Sequence, residues 1–474
     1  MSEANPRACE PQYQWRELPR ERIPRRSAVE RLSDFLEIYG PYDEQTAREQ
    51  ASRCIQCPEP SCVTGCPVSQ RIPEWLALTA EGHFLEAAAV LEATSCLPEI
   101  CARVCPSERL CEGMCILNGK AEPVSIRAIE QFLNEYAFTH GEADRPGAPA
   151  NGWRVAVIGS GPGGLACADR LSKRGYTVTV FDWRLEPGGL LVSGTPAFRL
   201  ERSIVNRRIE LLQKRGVVFR LGVPLGEGLT LRELQAGFDA IYLAFGARKP
   251  RELEAPGRHL KGVVQALSFL AQGETGVAQD VSPIDVNGKH VVVLGGGDLA
   301  MDSLRTALRS GASEAVCVYR READDLPCVR SEYENAVEEG ARFLFRATPV
   351  AVLGSDRDDV TGLRLLRTEL GAADEAGRRA FTVLPGTEFE IAADRVFLAL
   401  GFESLPLPAE NPFGSLARSE QGGLRVDERQ MTSAPGIFAG GDLVRGPSPV
   451  LSTVRDARRA VQGIEDYLLN RTQA

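Results

Sequence analysis

Apolar positions recur with two different periods along this chain, and the change of period divides it. In "PEWLALTAEGHFLEAAAVLEAT" and "SIRAIEQFLNEYAF" they fall at helical spacing, which predicts a small helical domain over residues 41–146. Beyond residue 153, short continuous apolar runs alternate with amphipathic stretches. "WRVAVIGSGPGGLACADRLSKRGYTVTVFD" (153–182) predicts strand, glycine turn, helix and strand, and "KHVVVLGGGDLAMDSLRTALRSGASEAVCVYRR" (289–321) repeats that unit. "GIFAGGDLVRGPSPVLSTVRDARRAVQGIEDYLL" (436–469) predicts a strand, a Gly-Gly-Asp turn and a closing amphipathic helix. The fold class expected is α/β, with a helical N-terminal domain and then two Rossmann-like dinucleotide-binding domains, the second inserted in the first. The expected divisions are a polar arm over 1–40, the helical domain over 41–146, a first nucleotide domain in two parts (147–247 and 396–474), and a second nucleotide domain over 248–395. "GEADRPGAPANG" (141–152) reads as a linker by composition.

Composition narrows the chemistry. A length of 474 residues suggests about three domains, and 43% hydrophobic with 25% charged residues is ordinary for soluble protein. The net charge of −9 argues against a generic nucleic-acid binder. The N-terminus carries no secretory signal and no run of eighteen apolar residues occurs, so a cytoplasmic protein is expected. Thiols stay reduced there. Nine of the thirteen cysteines nevertheless fall between residues 54 and 115, which points to metal ligands or redox groups rather than disulfides.

Gly159, Gly161 and Gly164 form G-x-G-x-x-G between a strand and a helix, with Gly163 inside the loop. The first glycine permits the tight turn and the second lets backbone approach a pyrophosphate. The third allows close helix–strand packing, with the phosphates at the helix N-terminus. Asp182 closes the next strand 23 residues after Gly159, where a carboxylate accepts from a ribose hydroxyl. Gly189 and Leu190 follow in "EPGGLLVSGTPAFRL", and "FAGGD" brings Gly441 and Asp442 from the far end of the chain. Two such separated contributions suit a long FAD. Asp442 would meet ribityl or phosphate-side oxygens, and a helix starting near Ser448 would aim at the flavin's N1/O2 edge.

The second copy opens with Gly295, Gly296, Gly297 and Asp298, with Ala300 in the fourth small position. Matching the strand ends puts Arg320 where Asp182 stood, with Arg321 beside it. Arginine there favours a 2′-phosphate, hence NADPH over NADH. Tyr319 is expected either against the adenine or as a buried strand residue. Hydride transfer to a flavin is governed by geometry, and none of the scattered His83, His140, His259 and His290 reads as catalytic.

Disulfide reductases of this architecture carry a cysteine pair after the first flavin segment, and "LLVSGTPAFRL" has none. Cys167, Cys317 and Cys328 read as structural, which leaves the N-terminal cysteines as the electron exit. Their spacing is C-x2-C-x4-C-x3-C, then C-x4-C-x3-C-P-x4-C-x3-C. In ferredoxin sequences the fourth cysteine of a compact run ligates the other cluster. By that logic Cys54, Cys57, Cys62 and Cys115 hold one 4Fe-4S cluster, and Cys66 crosses over to join Cys105 and Cys111 on a second. The fourth ligand of the second cluster is open between Cys101, Cys96 and a non-cysteine group. Structural zinc would more usually pair two C-x2-C knuckles, and one is present. Flavin plus one-electron clusters makes a two-to-one electron converter.

"CIQCPEPSCVTGCP", "CARVCPSERLCEGMC", "VAVIGSGPGGLACAD", "GTPAFRLE", "VVVLGGGDLAMD", "YRRE" and "FAGGDLVRG" come in an order that resembles the small (beta) subunit of bacterial NADPH-dependent glutamate synthase, over about residues 20–470. The wider group includes the flavin-and-cluster end of dihydropyrimidine dehydrogenase. The resemblance implies a glutathione-reductase-like arrangement, FAD, NADPH and two low-potential 4Fe-4S clusters. It also implies a large (alpha) partner subunit, with FMN and a 3Fe-4S cluster, that forms glutamate from glutamine and 2-oxoglutarate. Glu130 matches the position from which relatives complete the second cluster, and is preferred to Cys101 on that ground. Two departures stand out: Leu299 replaces an expected threonine, and "PSPVLSTVRDAR" differs from the usual run beside the flavin. The alternative is the same converter serving another reductase or a bifurcating complex.

Overall fold

A computed structural model describes residues 14–141, 148–226, 229–247, 249–272, 283–374, 379–403 and 413–473. The N-terminal domain is built of α1 (Glu44–Ser52), α2 (Ile72–Glu81), α3 (Phe84–Thr94), α4 (Pro98–Val104) and α5 (Ile126–Thr139). Asp43 caps α1 by accepting from the Thr46 amide at 2.7 Å, and Gly82 ends α2 at φ +87°. Trp75, Leu91 and Ile129 are fully buried in its core, which runs without a break into the next domain through Val157, Val180 and Val454.

That next domain begins with β1 (Arg154–Ile158), α6 (Pro162–Lys173), β2 (Thr177–Phe181), α7 (Arg202–Lys214), β3 (Val218–Arg220) and β4 (Ala240–Leu243). The inserted domain contains β5 (Val263–Gln265), β6 (His290–Leu294), α8 (Asp298–Arg309), β7 (Glu314–Tyr319), α9 (Arg330–Glu338) and β8 (Arg342–Phe345). It continues with β9 (Ala347–Gly354), β10 (Val360–Ala373), β11 (Arg379–Val383), β12 (Phe389–Ala392) and β13 (Arg395–Leu398). The chain closes with β14 (Ile437–Ala439) and α10 (Val450–Gln473).

The first sheet is parallel in the order β14-β4-β1-β2-β3, so residues near the C-terminus complete a sheet begun at residue 154. Between the two halves lies a second parallel sheet, β5-β13-β6-β7-β8. β1 and β6 are buried at every position after the first, as parallel strands covered on both faces require. This is the α/β architecture expected. The second sheet extends to Leu398, three residues past the expected boundary at 395, because β13 sits between β5 and β6. An antiparallel unit in which β10 pairs with β9, β11 and β12 was not foreseen from the pattern.

The polar arm is tied into the fold: residues 14–40 strap the domains together. Arg20 pairs with Glu112 at 2.7 Å, and the Arg53 guanidinium donates to the carbonyls of Leu18, Glu122 and Pro123. Arg31 is buried against Asn335, Glu338 and Glu339 at the far end of α9. The carboxylates paired with Arg20 and Arg31 lie 92 and 307 residues away in sequence, where no local pattern reaches.

Candidate functional site

The first glycine loop opens a cavity of about 330 Å3. Gly159 sits at φ +108°, and a Cβ there would lie 2.6 Å from the Ala244 carbonyl oxygen. A Cβ on Gly164 would come 1.8 Å from the carbonyl oxygen of Gly159, so the helix packs directly on the turn. Gly161, by contrast, has open space where its Cβ would stand, facing the cavity that Gly163 and Asp182 also line. Asp182 Oδ2 accepts from the Ser160 amide (2.7 Å) and hydroxyl (2.6 Å), and its Oδ1 from the Arg184 amide. The carboxylate therefore locks the loop while lining the groove.

Gly189, Leu190, Gly441 and Asp442 reach the same cavity from the two distant segments. Asp442 Oδ1 accepts from the Ser448 amide and hydroxyl at 3.1 and 3.0 Å. Burial pushes this carboxyl up to about 6, against those hydrogen bonds. α10 starts at Val450, two residues after the expected point, and brings Val450 and Thr453 to the wall. Three contributors escaped the sequence reading. Trp183 and Phe402 line the cavity, and the buried Asp456 accepts from the Gly441 amide at 3.0 Å. An acid on the apolar side of α10 was the available signal.

At the second loop, Gly295 takes φ +134° and its Cβ would strike the Ala399 carbonyl at 2.3 Å. Gly297 has open space at its Cβ position, as Gly161 does. Asp298 starts α8 and accepts from the Val329 amide at 2.8 Å. Arg320 is exposed, packs 4.7 Å over the Phe381 ring and has no carboxylate partner among the described residues. Arg321 stands beside it, its Nε donating to the Arg379 carbonyl at 2.5 Å. Partial desolvation of its guanidinium against the sheet and then the Arg321 charge hold Arg320 below the usual arginine range. Tyr319 is the buried strand residue of the two expectations: its ring lies under Gly296 and its hydroxyl donates to the Asp325 carbonyl.

The N-terminal thiols fall into two groups. Cys54, Cys57, Cys62 and Cys115 surround one small cavity, together with Pro60, Leu76 and Val124. In the other, Cys66 is within electrostatic reach of Glu130 and Cys101, Cys105 of Cys101, Glu130 and Cys111, and Cys111 of Glu112, Glu130 and Cys66. Burial raises the thiols of Cys105 and Cys111 and takes the Glu130 carboxyl to about 7, with Gln70 donating to Glu130 at 2.9 Å. Cys96 stands apart, accepting from Arg170 Nε at 3.1 Å. Among the described residues no three His, Cys, Asp or Glu side chains are set to hold a single metal ion. The donor set of the first group, four thiols around a shared space, fits a thiolate-ligated cluster. Cys167, Cys317 and Cys328 are buried and bear no disulfide.

A glycine-loop groove, a second nucleotide fold inserted behind it and a cysteine-rich helical domain define an iron–sulfur pyridine-nucleotide oxidoreductase. Residues 31–142 match the family described as dihydropyrimidine dehydrogenase domain II, 4Fe-4S cluster, and residues 153–460 match pyridine nucleotide-disulphide oxidoreductase. The chain belongs to the family of NADPH glutamate synthase small chains. It is 43% identical to the glutamate synthase [NADPH] small chain of Azospirillum brasilense, over 96% of both chains. It is 40% identical to the putative oxidoreductase AegA of Escherichia coli, covering 94% of this chain and 69% of that one. Among solved structures, FprA of Mycobacterium tuberculosis in complex with NADPH shares the fold, with a TM-score of 0.57 and 22% identity over 69% of this chain and 86% of the other.

Proposed function

We propose that this chain oxidises NADPH through FAD and passes the electrons singly, via two 4Fe-4S clusters, to a large glutamate synthase subunit that forms glutamate from glutamine and 2-oxoglutarate. The observation that supports the reading is the gathering of N-terminal cysteines at two places. Cys54, Cys57, Cys62 and Cys115 share one cavity, and Cys66, Cys105 and Cys111 gather with Cys101 and Glu130. Residues 147–247 and 396–474 would serve the flavin, and residues 248–395, with β13, the NADPH. Gly159, Gly161, Gly163 and Gly164 would take the FAD pyrophosphate, with Asp182, Gly189, Leu190, Gly441 and Asp442 along the groove. Gly295, Gly296, Gly297 and Asp298 would take the NADPH pyrophosphate, and Arg320 and Arg321 its 2′-phosphate. The flavin, when bound, accepts a hydride and can release electrons one at a time. The protein's share is to fix distances, exclude water and supply helix N-termini to the phosphates.

The test is anaerobic purification with iron and sulfide assay, then stopped-flow reduction by NADPH and NADH, with and without the large subunit. About eight irons, one FAD, preference for NADPH and glutamate formation only with the partner are expected. Iron for a single cluster would overturn the two-group assignment, and flavin reduction without iron would remove the exit route. The match to AegA, a longer protein with a different name, supports one alternative: the same converter serving another partner. Full reduction with no glutamate formed would favour it.

A further inference from the structure

A second large cavity, of about 390 Å3, lies where Pro67, Val68 and Ser69 meet α6 and α10. Five guanidinium groups line it. Arg170 and Arg174 come from the C-terminal end of α6, and Arg455, Arg458 and Arg459 from α10. In a chain of net charge −9 this concentration of one sign is not a matter of composition.

The charges there are incompletely neutralised. Arg174 pairs with Glu465, and Arg170 donates to Cys96 Sγ and, at 2.7 Å, to the Ala93 carbonyl. Arg458 donates to the Val68 carbonyl at 2.5 Å. Arg455 has one carboxylate near it, Asp456 at 3.8 Å, which already accepts from Gly441 and Arg445. The Nε of Arg455 is buried with no hydrogen-bond partner. Arg459 is exposed and without a carboxylate partner among the described residues. Burial first, and then neighbouring arginines, hold Arg455 and Arg458 below the usual arginine range. Such a group of cations gains from an anion that several of them can share.

We propose that this cavity binds a small polyanion, a molecule carrying at least two phosphate or carboxylate groups, at the seam between the cysteine-rich domain and the flavin domain. The volume lies within the range of small-ligand sites, which favour interfaces between domains. Guanidinium forks from two helices match the paired oxygens of phosphate or carboxylate. Arg458 ties the cavity to Val68, two residues past Cys66, so the bound anion also fixes the loop that carries a second-group thiol.

The test uses the full chain loaded with iron and flavin and saturated with NADP+, so that the phosphate site at Arg320 is filled. It is titrated calorimetrically at low salt with inorganic pyrophosphate, citrate and inorganic phosphate. One-to-one binding of pyrophosphate or citrate, tighter than phosphate, is expected, and the better of the two identifies phosphate or carboxylate chemistry. The double variant Arg455→Gln/Arg459→Glu should bind at least about tenfold more weakly, the loss of one charge-assisted contact or more. Arg459→Glu alone, at an exposed position, should weaken binding in the same direction without disturbing the fold. Arg232→Glu, the same charge reversal at an exposed arginine outside the cavity, should change affinity by less than about twofold. Reduction of the flavin by NADPH should be unchanged in all three variants. Failure of every anion to bind, or binding undiminished in both cavity variants, overturns the proposal. So does loss of association with the large subunit in the double variant when the parent chain binds none of the anions, which would make the cavity a protein-docking surface.

Discussion

Gly161 and Gly164 stand three residues apart in one loop and answer to opposite constraints. Gly164 is glycine because the turn beneath it leaves no room for a Cβ, whereas Gly161 has open space and an extended backbone that alanine can adopt. Gly161→Ala should therefore fold, with the unfolding free energy of the flavin-free chain changed by less than about 0.5 kcal/mol. Its FAD content after purification should fall severalfold, because the methyl group occupies the approach of the pyrophosphate. Thermal denaturation and flavin absorbance check the two halves separately. Asp442 carries a pH signature. Its carboxyl is raised by burial, so the folded flavin-free chain holds a proton that the unfolded chain releases, and stability attributable to this group falls as pH rises from about 4 to about 6. Asp442→Asn removes that loss: its advantage over the parent in urea denaturation should grow across this window and level off above it. Arg320 has no carboxylate partner among the described residues. Arg320→Asp should raise the KM for NADPH about tenfold or more and leave that for NADH nearly unchanged, and equal effects on both would sink the 2′-phosphate assignment.

At the scale of elements, the loop between Cys105 and Cys111 is held to the second glycine loop. Arg109 donates to the carbonyls of Leu326 (3.1 Å), Pro327 (2.8 Å) and Cys328 (2.5 Å), and Glu108 accepts from the Arg330 amide. The same segment returns the Cys328 amide to the Gly296 carbonyl and the Val329 amide to Asp298. A thiol-bearing loop and the second glycine loop thus share one support. Arg109→Ala removes three hydrogen bonds from a charged donor and should raise the KM for NADPH about tenfold, with flavin and iron content retained, as steady-state kinetics and metal assay would show. The motif "CPSERLC" shows the thiols, but nothing in it points to residues 326–330, more than two hundred positions away.

For the whole molecule, the cysteine-rich domain packs directly on the first glycine-loop domain, and the expected linker "GEADRPGAPANG" lies outside the described residues at 142–147. Their apolar core is continuous, and a buried ion network crosses the seam. Arg208 on α7 makes a bidentate pair with Glu99 on α4 at 2.7 and 2.8 Å and approaches Asp169 on α6 at 3.3 Å. Removing one partner leaves buried charge uncompensated, so Arg208→Ala should cost about 3–5 kcal/mol. The chain should then lose iron and flavin together in a single unfolding transition, and separate transitions would contradict the shared core.

Local pattern was enough for the two strand–turn–helix units and both glycine turns. Each depends on periodicity or on residue types at short fixed spacing. The strapping arm, Arg109 and the five-arginine cavity depend on partners far apart in sequence. Their pairings are fixed by which buried faces and charges meet once the domains pack, and only the tertiary structure decides that.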